Sequence, residues 1–305
     1  MLSREAVIAA ALSAGVGAIR RSAGTTGSDA MKVVLFCGGQ GARLRDQNGN
    51  IPKPMLTIGR RPILWHLMKY YAHYGHTDFV LCLGYRSEAV KEYFLQYNEW
   101  VSNDFVLSEG GRKVEMLASD ISDWRITFVD TGLNASIGER LRLVQPHVAG
   151  EAYFLANYAD ALTDLKLDEY IAEVQARGKV ASFVAVHSPQ SFHITAIDDD
   201  DLCTGVTPIG DADIWMNGGF FVLRQDIFSY MRPGEDLVNE PFARLIAERQ
   251  LMAHRHRGFW HAMDTFKDRQ ALEERNESGN APWLVWVPGP VPAEDPGEAI
   301  GGRVG

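Results

Sequence analysis

Apolar and polar positions come in blocks along this chain, and the period of the blocks changes from one to the next. Met31–Cys37 is short, continuous and apolar, as a strand covered on both faces requires. Pro62–Tyr74 switches to helical spacing, with Pro in its first turn and Gly75 just past its end. Strand-like and helix-like runs then alternate: Phe79–Leu83 strand, Glu88–Tyr97 helix, Arg125–Val129 strand, Gly138–Val144 helix, Ala152–Ala156 strand, Asp168–Ala176 helix and Val180–Val186 strand. Phe105–Leu107 and Lys113–Leu117 flank Glu109-Gly110-Gly111 and predict a hairpin, and two more strands are expected on either side of Asp198–Asp201. Trp215–Leu223 reads as one strand, with helices to follow over Asn239–Glu248 and Asp264–Glu277. This order predicts an α/β fold, a mainly parallel mixed sheet flanked by helices and carrying inserted β hairpins. The aromatic stripe Trp65, His66, Tyr70, Tyr71 and His73 is expected on the core face of its helix, and His254, His256 and His261 match strand alternation rather than a metal site.

The 305 residues suit one large α/β domain or two small ones. The expected division is an extension over residues 1–30, a domain over 31–286 and a Pro/Gly/acid-rich flexible tail over 287–305. A net charge of −9 argues against a nucleic-acid surface, though not against a nucleotide ligand, which needs only local positive charge. Cys37, Cys82 and Cys203 show neither zinc spacing nor a disulfide framework, so a reducing cytoplasm is expected. Ala6–Ile19 is apolar but too short to span a membrane, and Arg20 and Arg21 follow it, where a signal peptide needs its basic residues in front.

The chemistry begins where the first strand ends. Cys37-Gly38-Gly39-Gln40-Gly41-Ala42-Arg43-Leu44 places three glycines in four positions, so that backbone amides can face phosphate oxygens without side chains in the way. Arg43 and, ten residues on, Lys53 between Pro52 and Pro54 add fixed positive charge. These parts suit a polyphosphate. A P-loop is excluded because Ala42-Arg43 follow Gly41, and a dinucleotide fingerprint because Leu44 stands where its third glycine belongs.

Gly-Gly-x-Gly-x-Arg-Leu followed by Lys53-Pro54-Met55 resembles the signature of the sugar nucleotidylyltransferases, in particular the glucose-1-phosphate cytidylyltransferases. The likeness continues through Pro62-Ile63-Leu64-Trp65-His66, Val129-Asp130-Thr131-Gly132, Arg140-Leu141, Tyr158-x-Asp160, Asn217-Gly218-Gly219-Phe220-Phe221, Gly258-Phe259-Trp260 and Met263-Asp264-Thr265. It implies a Rossmann-like nucleotidyltransferase fold. The implied reaction is attack by an acceptor phosphate on the α-phosphorus of CTP, with pyrophosphate leaving. Catalysis of that kind is mainly positioning and neutralisation of charge. The resemblance implies Arg43 and Lys53 as catalytic cations, and Gly38, Gly39, Gly41, Thr131 and Arg140 as nucleotide contacts, Arg140 across a subunit boundary in a homo-oligomer. It implies Asp160 and Asp264 as the Mg2+ pair, Asp264 having a second reading as a helix cap. Asn217 and Gly218 would contact the acceptor, a phosphorylated small molecule. No nucleic-acid or membrane partner is expected.

The departures concentrate on the acceptor side. Near the donor, Ala42 replaces a threonine, Ile51 a lysine and Glu139 a glycine beside Arg140, the last expected to bring negative charge near phosphates. Tyr158-Ala159-Asp160-Ala161 stands for Gly-Asp-Gly, and its added methyl groups are expected to crowd the backbone. On the acceptor side, Phe192-His193-Ile194-Thr195 replaces a Phe-Gly run, and Val206-Thr207-Pro208 replaces Glu-Lys-Pro, whose lysine would grip the acceptor phosphate. No lysine occurs between Lys179 and Lys267. Two readings follow. One is an active enzyme with an altered acceptor, in which His193, Arg255 or Arg257 supplies the missing contact. The other is a diverged nucleotide-binding relative with little transfer activity, serving regulation or assembly.

Overall fold

The structure, a computed structural model, describes residues 30–39, 51–188 and 192–287. Apart from Ala30 and Val287, the expected extension and tail fall outside these residues, as do Gly41 and Arg43. In chain order, β1 (Val33–Phe36) is followed by a 3-10 turn at Lys53–Met55, then by β2 (Thr57–Ile58), β3 (Arg61–Pro62), α1 (Ile63–His73), β4 (Asp78–Leu83) and α2 (Ser87–Leu95). A hairpin of β5 (Phe105–Ser108) and β6 (Lys113–Met116) precedes β7 (Arg125–Asp130), α3 (Ile137–Leu143), β8 (Tyr153–Tyr158), β9 (Ala161–Thr163), α4 (Leu167–Arg177) and β10 (Ala181–Val186). A second hairpin, β11 (His193–Ile197) and β12 (Cys203–Pro208), leads to β13 (Met216–Asn217), β14 (Phe221–Arg224), α5 (Glu240–Ala247), β15 (Leu251–Arg255), β16 (Trp260–Ala262) and α6 (Phe266–Glu277).

The main sheet runs β10–β14–β8–β1–β4–β7, with β15 also paired to β10. β1 is parallel to β4 and β8, β4 to β7 and β10 to β15, while β14 is antiparallel to both of its neighbours. β1, β4, β7, β8 and β10 therefore end on one edge, where ligands of open α/β sheets bind. Alternation along the strands divides two cores. Val33, Leu35, Phe79 and Leu81 face one with α1 and α4, whereas Val34, Phe36, Val80 and Cys82 face the other with Leu141 of α3 and Phe242 of α5. Every residue of β1 is buried, which is why its sequence is apolar without alternation. Among the described residues no helix is long and apolar enough to cross a membrane.

Three expectations change in detail. His73, in the last turn of α1, is exposed, while Trp65, His66, Tyr70 and Tyr71 are buried. Trp215–Leu223 is not one strand. It pairs with β10 through Asn217 and again through Val222, and the register slips across Gly218-Gly219-Phe220. The last helix starts later than expected. Thr265 is its N-cap, in a reciprocal capping box with Asp268, so Asp264 stands just outside the helix and its carboxylate is left for other work.

Candidate active site

The Gly38–Gly39 turn leaves the end of β1 with the Gly38 carbonyl directed into the protein. Arg140 of α3 donates through Nη2 to Gly38 O (3.1 Å) and Leu133 O (3.3 Å), and through Nη1 to Leu83 O (3.2 Å) and Thr131 Oγ1 (2.6 Å). Both Nη groups are thus fully used. Arg140 is 3 % exposed, and burial draws its pKa down, partly opposed by nearby Cys82, Cys37 and Asp130. A Cβ on Gly38 would lie 1.9 Å from Arg140 Nη1, so only glycine permits this approach. Thr131 is buried and donates its hydroxyl hydrogen to Leu83 O (2.8 Å). These bonds tie the ends of β1, β4 and β7 together, and Arg140 also lines the cavity beside them.

Beside this tie lies a cavity of about 470 Å³ between Gly39, Asp160, Tyr158 and the segment Leu133–Ile137. A smaller recess of about 170 Å³ continues from it between Gly39, Lys53 and Asp160. Ser136 caps α3 by accepting the Glu139 N–H at 3.1 Å, which fixes the segment as a wall. Glu139 pairs with Arg142 at 3.1 Å, so the charge expected near the phosphates is already partnered. Ala159 and Ala161 are 2 % and 1 % exposed and pack in the core. Ala159 also lines the cavity and the recess.

Lys53 is presented by the 3-10 turn after Pro52, and its Nζ lies 2.5 Å from Asp160 Oδ2 and 2.6 Å from Asp264 Oδ1. Burial works to lower the Lys53 pKa, but Asp160 and then Asp264 outweigh it, and the net direction is up. Asp160 sits between β8 and β9, and Met263 N–H bonds the Asp160 carbonyl at 2.8 Å, bringing the two carboxylates together across 104 residues of chain. The ammonium marks a point that both carboxylates reach at once. A divalent cation fits that arrangement, provided phosphate and water complete its shell.

The acceptor-side residues divide into two groups. Asn217 Oδ1 accepts from Gly219 N–H (2.9 Å), and Gly218 O accepts from Trp260 Nε1 (2.9 Å). Asn157, fully buried beneath the turn, accepts from Phe220 N–H at 2.9 Å. Asn157 and Trp260 were not singled out as functional from the sequence. The polar Asn157 in an otherwise apolar strand run was the available signal. His193 is exposed on the β11–β12 hairpin opposite Pro208, while Thr207 pairs with Ile194. Successive residues of a strand face opposite sides. His193 and Thr207 thus occupy different faces of the hairpin.

Comparison with known proteins agrees with this geometry. Residues 32–261 match the nucleotidyl transferase family. The chain is 35 % identical over 258 residues to a probable glucose-1-phosphate cytidylyltransferase of Bacillus subtilis, and 36 % identical over 258 residues to a glucose-1-phosphate cytidylyltransferase of Salmonella typhi, in each case covering 84 % of this chain and all of the relative. Among solved structures, HddC from Yersinia pseudotuberculosis shares the fold with a TM-score of 0.57 at 17 % identity, over 81 % of this chain and 99 % of its own. The UTP-bound UGPase from Acinetobacter baumannii does so with a TM-score of 0.59 at 17 % identity, over 81 % and 93 %. The chain belongs to the nucleotidyl transferase family, and its similarity within that family is to the glucose-1-phosphate cytidylyltransferases.

Proposed function

We propose that this enzyme is a magnesium-dependent cytidylyltransferase that moves CMP from CTP to a sugar 1-phosphate or a related phosphorylated acceptor. An acceptor phosphate oxygen bonds to the α-phosphorus as the bond to the β-phosphate oxygen breaks, and pyrophosphate leaves. The observation that carries the reading is the convergence of Lys53, Asp160 and Asp264 beside the glycine turn. Asp160 and Asp264 would hold Mg2+, which when bound supplies positive charge to the phosphates. Lys53 would neutralise the α-phosphate and the incoming phosphate. Gly38 and Gly39 with Gly41 and Arg43 hold the triphosphate, and the wall from Leu133 to Ile137 packs against the base. Asn217 and Gly218 position the acceptor. The cytidylyltransferase relatives support CTP as donor.

The enzyme is taken to be cytoplasmic, in keeping with the free thiols of Cys37 and Cys82, and homo-oligomeric. Phe105, Leu107 and Val114, at least 42 % exposed, share one face of the β5–β6 hairpin and form an apolar surface suited to a second copy. The decisive assay is pyrophosphate release with CTP, Mg2+ and a panel of phosphorylated acceptors. Release is expected with at least one acceptor and lost in Asp160→Asn and Asp264→Asn. CTP binding without release for every acceptor would overturn the transferase reading in favour of a nucleotide-binding protein.

A further inference from the structure

A second cationic feature lies outside the Lys53 cluster. Trp215, two residues before Asn217, has its ring centroid 5.3 Å from the guanidinium carbon of Arg255 and 5.2 Å from that of Arg257. The sheet explains the grouping. Ala185 of β10 pairs with Asn217 on one strand and with Arg255 on another, so Trp215 reaches across the end of β10. There its ring packs on His187, with centroids 4.0 Å apart, and its N–H donates to Asp213 Oδ1 at 2.7 Å.

Arg255 and Arg257 are exposed, and among the described residues neither makes a hydrogen bond or an ion pair. His187 Nδ1 is buried beside them without a partner. Two like charges on one ring repel, and packing on the ring holds them in place with their N–H donors unused. An oxyanion that accepts from both relieves the repulsion and satisfies the donors. The arginines stand apart from the Lys53 cluster. Arg257 precedes β16 and Asp264 follows it, and the three residues of that strand span about 10 Å at roughly 3.3 Å per residue. Between them Trp260 closes against Gly218 O.

We propose that Arg255 and Arg257, stacked on Trp215, form an oxyanion subsite for the end of the acceptor remote from its reacting phosphate. The preferred acceptor is then a phosphorylated small molecule with a second anionic group, a carboxylate or a phosphate. The inference rests on the transferase reading and narrows its substrate class.

The test is calorimetric titration of the full chain with glucose 1-phosphate, glucuronic acid 1-phosphate and glucose 1,6-bisphosphate, with pyrophosphate release measured in parallel. One or both doubly anionic probes should bind at least about tenfold more tightly than glucose 1-phosphate, the scale of a charge-assisted contact. Which probe gains distinguishes carboxylate from phosphate. Arg255→Ala/Arg257→Ala should abolish the gain, bringing the doubly anionic probes down to the affinity of glucose 1-phosphate, and Arg255→Lys/Arg257→Lys should keep part of it. Equal affinity for all three probes would overturn the proposal, as would an equal loss for all three in the double alanine variant. Preferential binding without pyrophosphate release from any probe would keep the subsite and sink the transferase reading. Release without preference would sink the subsite alone.

Discussion

Lys53 is 14 % exposed at its side chain and sits between two carboxylates, of which Asp160 is the more covered, 25 % exposed against 46 % for Asp264. One ammonium cannot cancel two carboxylates, so the cluster keeps a net negative charge that a divalent cation completes. The raised Lys53 pKa means that its stabilising contribution is present in full below the ordinary lysine range and is lost only as pH rises through the folded value. The ammonium also competes with a metal for the same oxygens. Lys53→Met should therefore lower turnover about 10²–10³-fold, the effect of removing one preorganised charge-stabilising donor. It should also enlarge the rise in Tm that Mg2+ produces, because the carboxylates lose their resident cation. Thermal unfolding with and without Mg2+ reads the second effect without any need for activity. An identical Mg2+ response in both proteins would remove Asp160 and Asp264 from the metal role.

At the scale of elements, the break between β13 and β14 sets the backbone around Asn217 and Gly218, the residues proposed to position the acceptor. Gly219 has φ +79° and Phe220 has φ +51°, and the Asn157 side chain holds the Phe220 N–H in that unfavourable conformation. A Cβ on Gly219 would fall 2.4 Å from Asn157 Oδ1, so both space and backbone angle demand glycine. Gly219→Ala should cost about 1–3 kcal/mol of stability. It should raise KM for the acceptor more than KM for CTP, since the donor cavity is lined by other segments. Urea unfolding and steady-state kinetics together check this, and equal KM changes for both substrates would detach the turn from acceptor binding. The start of α6 works in a comparable way. Because Thr265 and Asp268 satisfy the helix N-terminus between them, Asp264 is free to face Lys53.

Across the whole molecule, two buried histidines make the fold acid-sensitive. His66 donates from Nε2 to Ile58 O at 3.0 Å, and His76 Nδ1 accepts the Met31 N–H at 3.0 Å, which requires that nitrogen to be unprotonated. Burial lowers both pKa values to about 4. An unfolded histidine titrates near ~6.5, so folding favours the neutral form, and the stability it adds is present above that value and lost as pH falls through the folded one. Each contributes on the order of 3 kcal/mol to the decline. Unfolding free energy measured between pH 7 and pH 4 should fall accordingly, and His76→Leu should flatten the slope. An unchanged slope would exclude His76 as a contributor.

Much of this molecule was legible along the chain because the information is local. Period, glycine and proline positions marked the strands and helices to within a few residues, and the run Met31–Cys37 marked a strand buried on both faces. The ordered motifs identified the family, since spacing along the chain is itself a sequence property. What the tertiary structure decided depends on contacts between residues far apart. Arg140 and Thr131 turn inward because Gly38, Leu83 and Leu133 converge on them. His193 and Thr207 part because strand pairing sets their faces. Trp215 gathers Arg255 and Arg257 because β10 lies between their strands. By itself the sequence determined which elements form and which chemical groups are carried to the sheet edge. Only packing decided which of those groups face the ligand, because that depends on pairing and burial across the fold.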